Sequence, residues 1–279
     1  MRIKTLLVCL TTHTHADTLM RLAVPLARAH NAHLIGLHTL QSVLIYPGIA
    51  MHIPEPAFSA FNESQREEAE QIKAVFTKHT ANEDFPSEFR LVRAEDASAA
   101  ERLVESARAA DLVIMAHEDR ENDRYDQRDS QARVIRESGR PVIVVPLGYE
   151  GDALGQNILL GWSDTREAAR AAHDLLSIAA PGAAVTVLRV ASPQQDALKD
   201  ACGIALSEAL SRHGMKTTLE QRDAGNKDIA EVLNQVAFEK GADLIVTGAF
   251  GHSKVYDFVI GATTYALLRD AQLPVMFSK

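Results

Sequence analysis

Apolar and polar positions alternate between two rhythms along the chain. Nearly continuous apolar runs rich in β-branched residues mark strands buried on both faces. Segments with apolar residues three and four apart mark amphipathic helices. The run IKTLLVCL (3–10) predicts a first strand. TTHTHAD then reads as a polar loop, and TLMRLAVPLARAH (18–30) as a helix with Leu19, Leu22, Ala23 and Leu26 on one face. Strand 32–40, a helix over roughly 57–79, strand 87–94, helix 97–110, strand 111–117, a helix near 129–138 and strand 141–146 follow. The rest of the chain repeats that order, with strands at 156–162, 183–190, 216–222, 243–249 and 274–278. Helices are expected between them at 165–179, 194–213 and 227–240, and ATTYALLRDA forms the last.

Two internal matches tie the halves together. ADLVI at 110–114 repeats as ADLIV at 242–246, and ESGRPVIVV (137–145) parallels RDAQLPVMF (269–277). The Gly-rich polar segment LGYEGDALGQ (147–156) marks the join, giving domains at 1–150 and 151–279. Strands alternating with helices predict an α/β fold of two tandem, five-stranded, parallel, doubly wound domains of Rossmann-like type. Ligands in such sheets bind outside the carboxyl ends of the strands, where strand order reverses. The loops after the first, second and fourth strands of each half are therefore the ones to inspect.

Composition narrows the field modestly. The 279 residues carry a formal charge of −8, and no Lys/Arg block forms a basic stripe, so a nucleic-acid partner is not expected. No apolar run reaches the ~18 residues of a membrane span. The start of the chain lacks a signal-peptide pattern. Cys9 and Cys202 stand far apart, outside any CxxC pair, and read as buried free thiols of a reducing compartment. A cytoplasmic protein with no membrane partner is expected.

The chemistry concentrates in GAFGHSKVYDFVIGATT (248–264). A loop that holds phosphates must bring backbone N–H groups close to the anion, and glycine removes the obstructing side chain. A helix N-terminus adds unpaired N–H donors. Gly248 and Gly251 can form the turn after the strand, and Gly261 opens the last helix at Ala262, Thr263 and Thr264. Glycines after a strand and before a helix also serve plain structural turns. The stretch is neither a P-loop nor a GxGxxG fingerprint.

The spacing G-x2-G-x9-G after a fourth strand, the segments GHSK and LLRDAQLPV, and ILLGWSDTREAARA in the first strand of the second half resemble the universal stress protein family. The resemblance spans the whole chain as two copies and implies an adenine nucleotide α-hydrolase-like fold. It implies adenine-nucleotide binding, which some members of the family have and others lack. ATP, or another adenine nucleotide, with Mg, is the expected ligand. The implied site has Ser163, Asp164 and Val190 around adenine and ribose. Gly248, Gly251 and Gly261, with the backbone and hydroxyls of Ala262, Thr263 and Thr264, would face the phosphates, and Thr247 belongs to the same nucleotide-binding set; His252, inside the loop, either contacts a phosphate or faces solvent. Ser163 stands where the family commonly has Asp, and Ala262 where it prefers Ser or Thr; Thr263 and Thr264 are the hydroxyls left to compensate.

The first half has lost the motif. Counting from the shared strand puts Ala116 and Asp119 at the places of Gly248 and Gly251, and counting back from Pro141 and Pro274 puts Arg128 at that of Gly261. Glu118, Asp119 and Asp123 would repel a triphosphate. The apolar segment 41–61 reads as a long loop covering that half's ligand face or another subunit. His13, His15 and Asp17 in the first loop match no established zinc spacing, and no metal site is assigned. No nucleophile–base pair is placed by motif, so no catalytic residue is assigned and ATP hydrolysis is expected to be weak at most. The expected function is a universal stress protein whose C-terminal domain binds a regulatory nucleotide in stress response. The alternatives are an interaction protein without nucleotide, and a slow ATPase. The last strands of the two halves are expected to pair as an intrachain pseudo-dimer, with homodimerisation of chains left open.

Overall fold

A computed structural model describes residues 2–41, 55–94, 98–118, 129–190, 201–251 and 261–279. The first half runs β1 (Thr5–Cys9), α1 (His13–His30), β2 (His33–Gln41), α2 (Glu55–Thr80), β3 (Ser87–Ala94), α3 (Ala99–Ala107), β4 (Leu112–Ala116), α4 (Ser130–Glu137) and β5 (Val142–Val145). The second half runs β6 (Asn157–Trp162), α5 (Arg166–Asp174), β7 (Ala184–Val190), α6 (Ala201–Arg212), β8 (Lys216–Arg222), α7 (Ile229–Lys240), β9 (Leu244–Gly248), α8 (Ala262–Asp270) and β10 (Val275–Ser278).

All ten strands form one sheet in the order β3-β2-β1-β4-β5-β10-β9-β6-β7-β8. Within each half every pairing is parallel. The halves meet where β5 and β10 pair antiparallel, Val275 opposite Val144 and Phe277 opposite Val142. Alternation along each strand explains why both faces carry a core. Leu6, Val8, Ile158 and Leu160 pack to one side, and Leu7, Cys9, Leu159 and Ile245 to the other. The expected doubly wound α/β architecture is therefore present in both halves, joined edge to edge.

The repeated Ala-Asp-Leu segment has a structural job. Asp111 accepts hydrogen bonds from the N–H groups of Lys4 and Thr5 at 2.7 and 3.0 Å. Asp243 accepts them from Gly155, Gln156 and Asn157 at 2.7, 2.7 and 3.0 Å. Each carboxylate ties the start of a fourth strand to the start of the first strand beside it. Burial raises the Asp243 pKa, and its three N–H donors pull the other way.

Three local expectations change. TTHTHAD is mostly the first turn of α1 rather than a loop, because Thr12 is extended and the helix starts at His13. His13, His15 and Asp17 therefore point around a helix, and Asp17 pairs with His79 of α2 at 2.9 Å, which lowers its pKa. Helix α2 begins at Glu55, so residues 55–61 are helical; the remainder of the 41–61 loop, 42–54, lies outside the described residues. Cys9 is buried, with its thiol pushed up to about 12, but Cys202 is exposed on α6. Helix α6 covers an edge of the sheet, so its outer face meets solvent. Among the described residues, no helix is long and apolar enough to cross a membrane.

Candidate functional site

In the second half the strand order is β10-β9-β6-β7-β8, so it reverses between β6 and β9. Gly161 pairs with Thr247 across that point, and Trp162 pairs with Arg189 on the other side. The parallel register brings Ser163, Val190 and Gly248 to one edge of the sheet. This is where the expected adenine, ribose and phosphate residues were to meet. Ser163 and Asp164 are exposed there, and Val190 is half-buried. The Ser163 hydroxyl lies 3.2 Å from that of Thr165, which caps α5 by accepting from the Ala168 N–H.

The glycines occupy defined places. A Cβ on Gly248 would stand 2.5 Å from the Glu167 carbonyl carbon and 2.6 Å from the Ala168 nitrogen. Strand β9 thus passes directly against the backbone of α5. A Cβ on Gly251 would meet the Glu167 carboxylate at 2.9 Å. Gly261 is the N-cap residue of α8 at φ 88°, in the left-handed region that favours glycine, and its Cα lies against the Phe250 ring. Packing within the protein therefore accounts for Gly248 and for much of Gly261, a role the comparison of sequence halves did not foresee.

Among the described residues, no side-chain hydrogen bond caps the start of α8. Gly261 offers no side-chain cap, and Ala262 at the first position is exposed. The first-turn N–H groups of a helix have no intrahelical acceptor. The Thr264 hydroxyl, however, is already engaged: it is 3% exposed and accepts from the Phe250 N–H at 3.1 Å. Thr263, half-buried, is the other hydroxyl of that first turn. Thr247 is buried, and its hydroxyl donates to the Gly248 carbonyl at 3.2 Å. His252 lies outside the described residues.

Three neighbours of the glycines were not anticipated from sequence. Glu167 is 5% exposed and lies under Gly251, with the Arg166 guanidinium 2.6 Å from its carboxylate. An acid in the first turn of a helix normally reads as a solvated partner of the helix dipole, which hid its burial. Phe250, between the first two glycines, has φ 51°. Arg136 of α4 lies over its ring, 4.1 Å from the centroid. A large aromatic within GAFG was the available signal.

The first half builds the same corner differently. His117 donates its N–H to Val145 as Ala249 does to Ser278, both at 2.8 Å, so Ala116 answers to Gly248. Asp129, at φ 58°, is the left-handed N-cap residue of α4 and answers to Gly261. The expected equivalent, Arg128, is off by one position, because α4 is one residue shorter than α8. Arg128, Asp119 and Asp123 lie outside the described residues. The Gln131 side chain donates back to the Ala116 carbonyl at 3.0 Å. Among the described residues, no group of three His, Cys, Asp or Glu side chains is placed to hold a metal ion.

Known proteins place this geometry. The structure is similar to that of a universal stress protein from Archaeoglobus fulgidus, with a TM-score of 0.74 and 14% identity over 99% of this chain and 96% of that one. It is also similar to a Pseudomonas aeruginosa protein described as functionally unknown, with a TM-score of 0.58 and 16% identity over 99% and 92%. An Archaeoglobus fulgidus universal stress protein in complex with dAMP aligns at 14% identity over 52% of this chain and 98% of its own, with a TM-score of 0.35. No curated protein sequence matches the chain. The universal stress protein family model matches residues 2–146 and again 155–279. The chain therefore belongs to the universal stress protein family, as a tandem member with two copies of the family unit.

Proposed function

We propose that the second half binds an adenine nucleotide, ATP with Mg in the first instance, and that occupancy regulates the protein in a cytoplasmic stress response. The observation that carries this is the meeting of Ser163, Val190, Gly248, Gly251 and the uncapped start of α8 at the switch point of one sheet. Ser163 and Asp164 line the adenine and ribose side. The backbone of Gly251 and of Ala262 to Thr264, with the Thr263 hydroxyl, faces the phosphates. Mg supplies charge neutralisation for those phosphates when bound.

Membership of the family supports the reading, and the half-specific retention of the spacing supports assigning it to residues 155–279. Glu167 is the opposing feature, since its carboxylate sits close to the expected phosphate path. Arg166 offsets that charge. A protein that works by partner binding alone is the competing reading, and Glu167 is what favours it.

Calorimetry with ATP and with AMP, each with and without Mg, tests the proposal. Binding is expected for the intact chain and is expected to vanish in Gly251→Glu, which places a second carboxylate at the loop floor. No heat at millimolar nucleotide overturns the proposal. Steady phosphate release well above the spontaneous rate would make the protein an ATPase rather than a regulator.

A further inference from the structure

Phe250 holds the two ends of the glycine loop together. It follows Gly248 by two residues, yet its N–H donates to the Thr264 hydroxyl inside α8, and its ring lies on Gly261 at the start of that helix. The ring meets Tyr265 edge-on, with centroids 5.6 Å apart and planes at 75°. Its φ of 51° is one that a bulky residue keeps only when its surroundings hold it there. Part of that hold comes from the other half of the molecule. The Arg136 guanidinium covers the Phe250 ring at 4.1 Å, and its Nη2 donates to the Tyr265 hydroxyl at 2.8 Å. The Lys279 ammonium stands 6.0 Å from the same ring. The Phe250 ring thus meets Gly261 of its own half and Arg136 of α4, in the half that has no glycine motif.

We infer that Arg136 is a positioning residue for the anion cradle of the second half, so that the first half sets the nucleotide affinity of the second. The inference rests on the nucleotide-binding proposal for its consequence but not for its geometry. The Arg136 partners Phe250 and Tyr265 are not expected ligand positions. Arg136 acts by fixing Phe250, and Phe250 fixes the spacing between the turn at Gly248 to Gly251 and the N–H groups of Ala262 to Thr264. Because such coupling is reciprocal, nucleotide in the second half would also tighten the packing of α4 on α8.

The test uses the full chain and two readouts. Amide hydrogen exchange without nucleotide is followed at 249–251 and 262–265 in the wild type, Arg136→Met, Arg136→Lys and Arg269→Met. Arg269 holds the matching place in α8 and pairs with Asp270, so it serves as the control. Faster exchange confined to those two segments is expected in Arg136→Met, with recovery in Arg136→Lys and none of it in Arg269→Met. Titration with ATP is expected to show affinity about three- to tenfold weaker in Arg136→Met. Unchanged exchange overturns the inference whether or not nucleotide binds. Faster exchange with unchanged ATP affinity overturns the coupling between halves. A wild type that binds no nucleotide overturns the proposed function, and the exchange result then decides the clamp alone.

Discussion

The corner between the fourth strand and the last helix is built twice in this molecule, once with glycines and once without. In the second half, Gly248 lets β9 press on the α5 backbone, and Gly261 turns the chain into α8. In the first, Ala116 ends the strand and Asp129 makes the left-handed turn. The same backbone path thus tolerates a Cβ at each place when the neighbours stand back. Glycine in the second half reflects close approach, of α5 at one point and of Phe250 at the other. A ligand explanation is therefore strongest for Gly251, whose Cα faces a carboxylate rather than a packed backbone.

Swapping residues between the corners tests that view, and Gly248→Ala should have the largest effect. Its Cβ would collide with main chain at α5, which no side-chain rotation relieves, so a loss of about 3 kcal/mol is expected in denaturant unfolding. Ala116→Gly should cost less than about 1 kcal/mol. Equal losses would mean that the two corners are packed alike.

An acid response should distinguish the halves next. His117 is 7% exposed and its Nε2 has no hydrogen-bond partner among the described residues; burial lowers its pKa to about 4, with Asp270 opposing. The unfolded chain takes up that proton near 6.5, and the folded one resists it until about 4. The unfolded state therefore binds more protons between these values, and stability falls as pH drops through that window, then levels off below it. The loss should reach about 3 kcal/mol. His117→Ala, which copies Ala249, should flatten that part of the pH–stability curve; an unchanged slope would assign it elsewhere.

The smallest contrast concerns the N-caps. Gly261→Ala should cost about 1–2 kcal/mol because its φ is positive and Phe250 lies against it. Asp129→Gly should instead stabilise by up to about 1 kcal/mol, since Asp129 holds the same conformation with a Cβ. Thermal unfolding of both variants checks the pair of signs.

How far the sequence could be read depended on whether a feature was periodic or geometric. The strands were legible because two-sided burial leaves apolar runs, as in DLIVT before Gly248. Even the edge strands Ser87–Ala94 and Lys216–Arg222 emerged at their expected bounds. The first turn of α1 was not, since Thr12, His13 and Thr14 give no apolar periodicity. Counting placed Arg128 opposite Gly261, whereas a dihedral angle identifies Asp129. Glu167 and Arg136 escaped because a charged side chain in an exposed-looking helical position carries no mark of what it touches.

The antiparallel seam of β5 and β10 has a consequence for concentration. Three residue pairs join the two halves of the sheet, through Val142, Ile143 and Val144 on one side and Val275, Met276 and Phe277 on the other. Between separate chains, such a junction would form and dissolve with protein abundance. Here one polypeptide carries both edges, and the joining segment from Val145 to Asn157 makes the encounter intramolecular. Dilution cannot separate the halves, so their contact is a fixed property of each molecule rather than a gauge of how many molecules the cell contains.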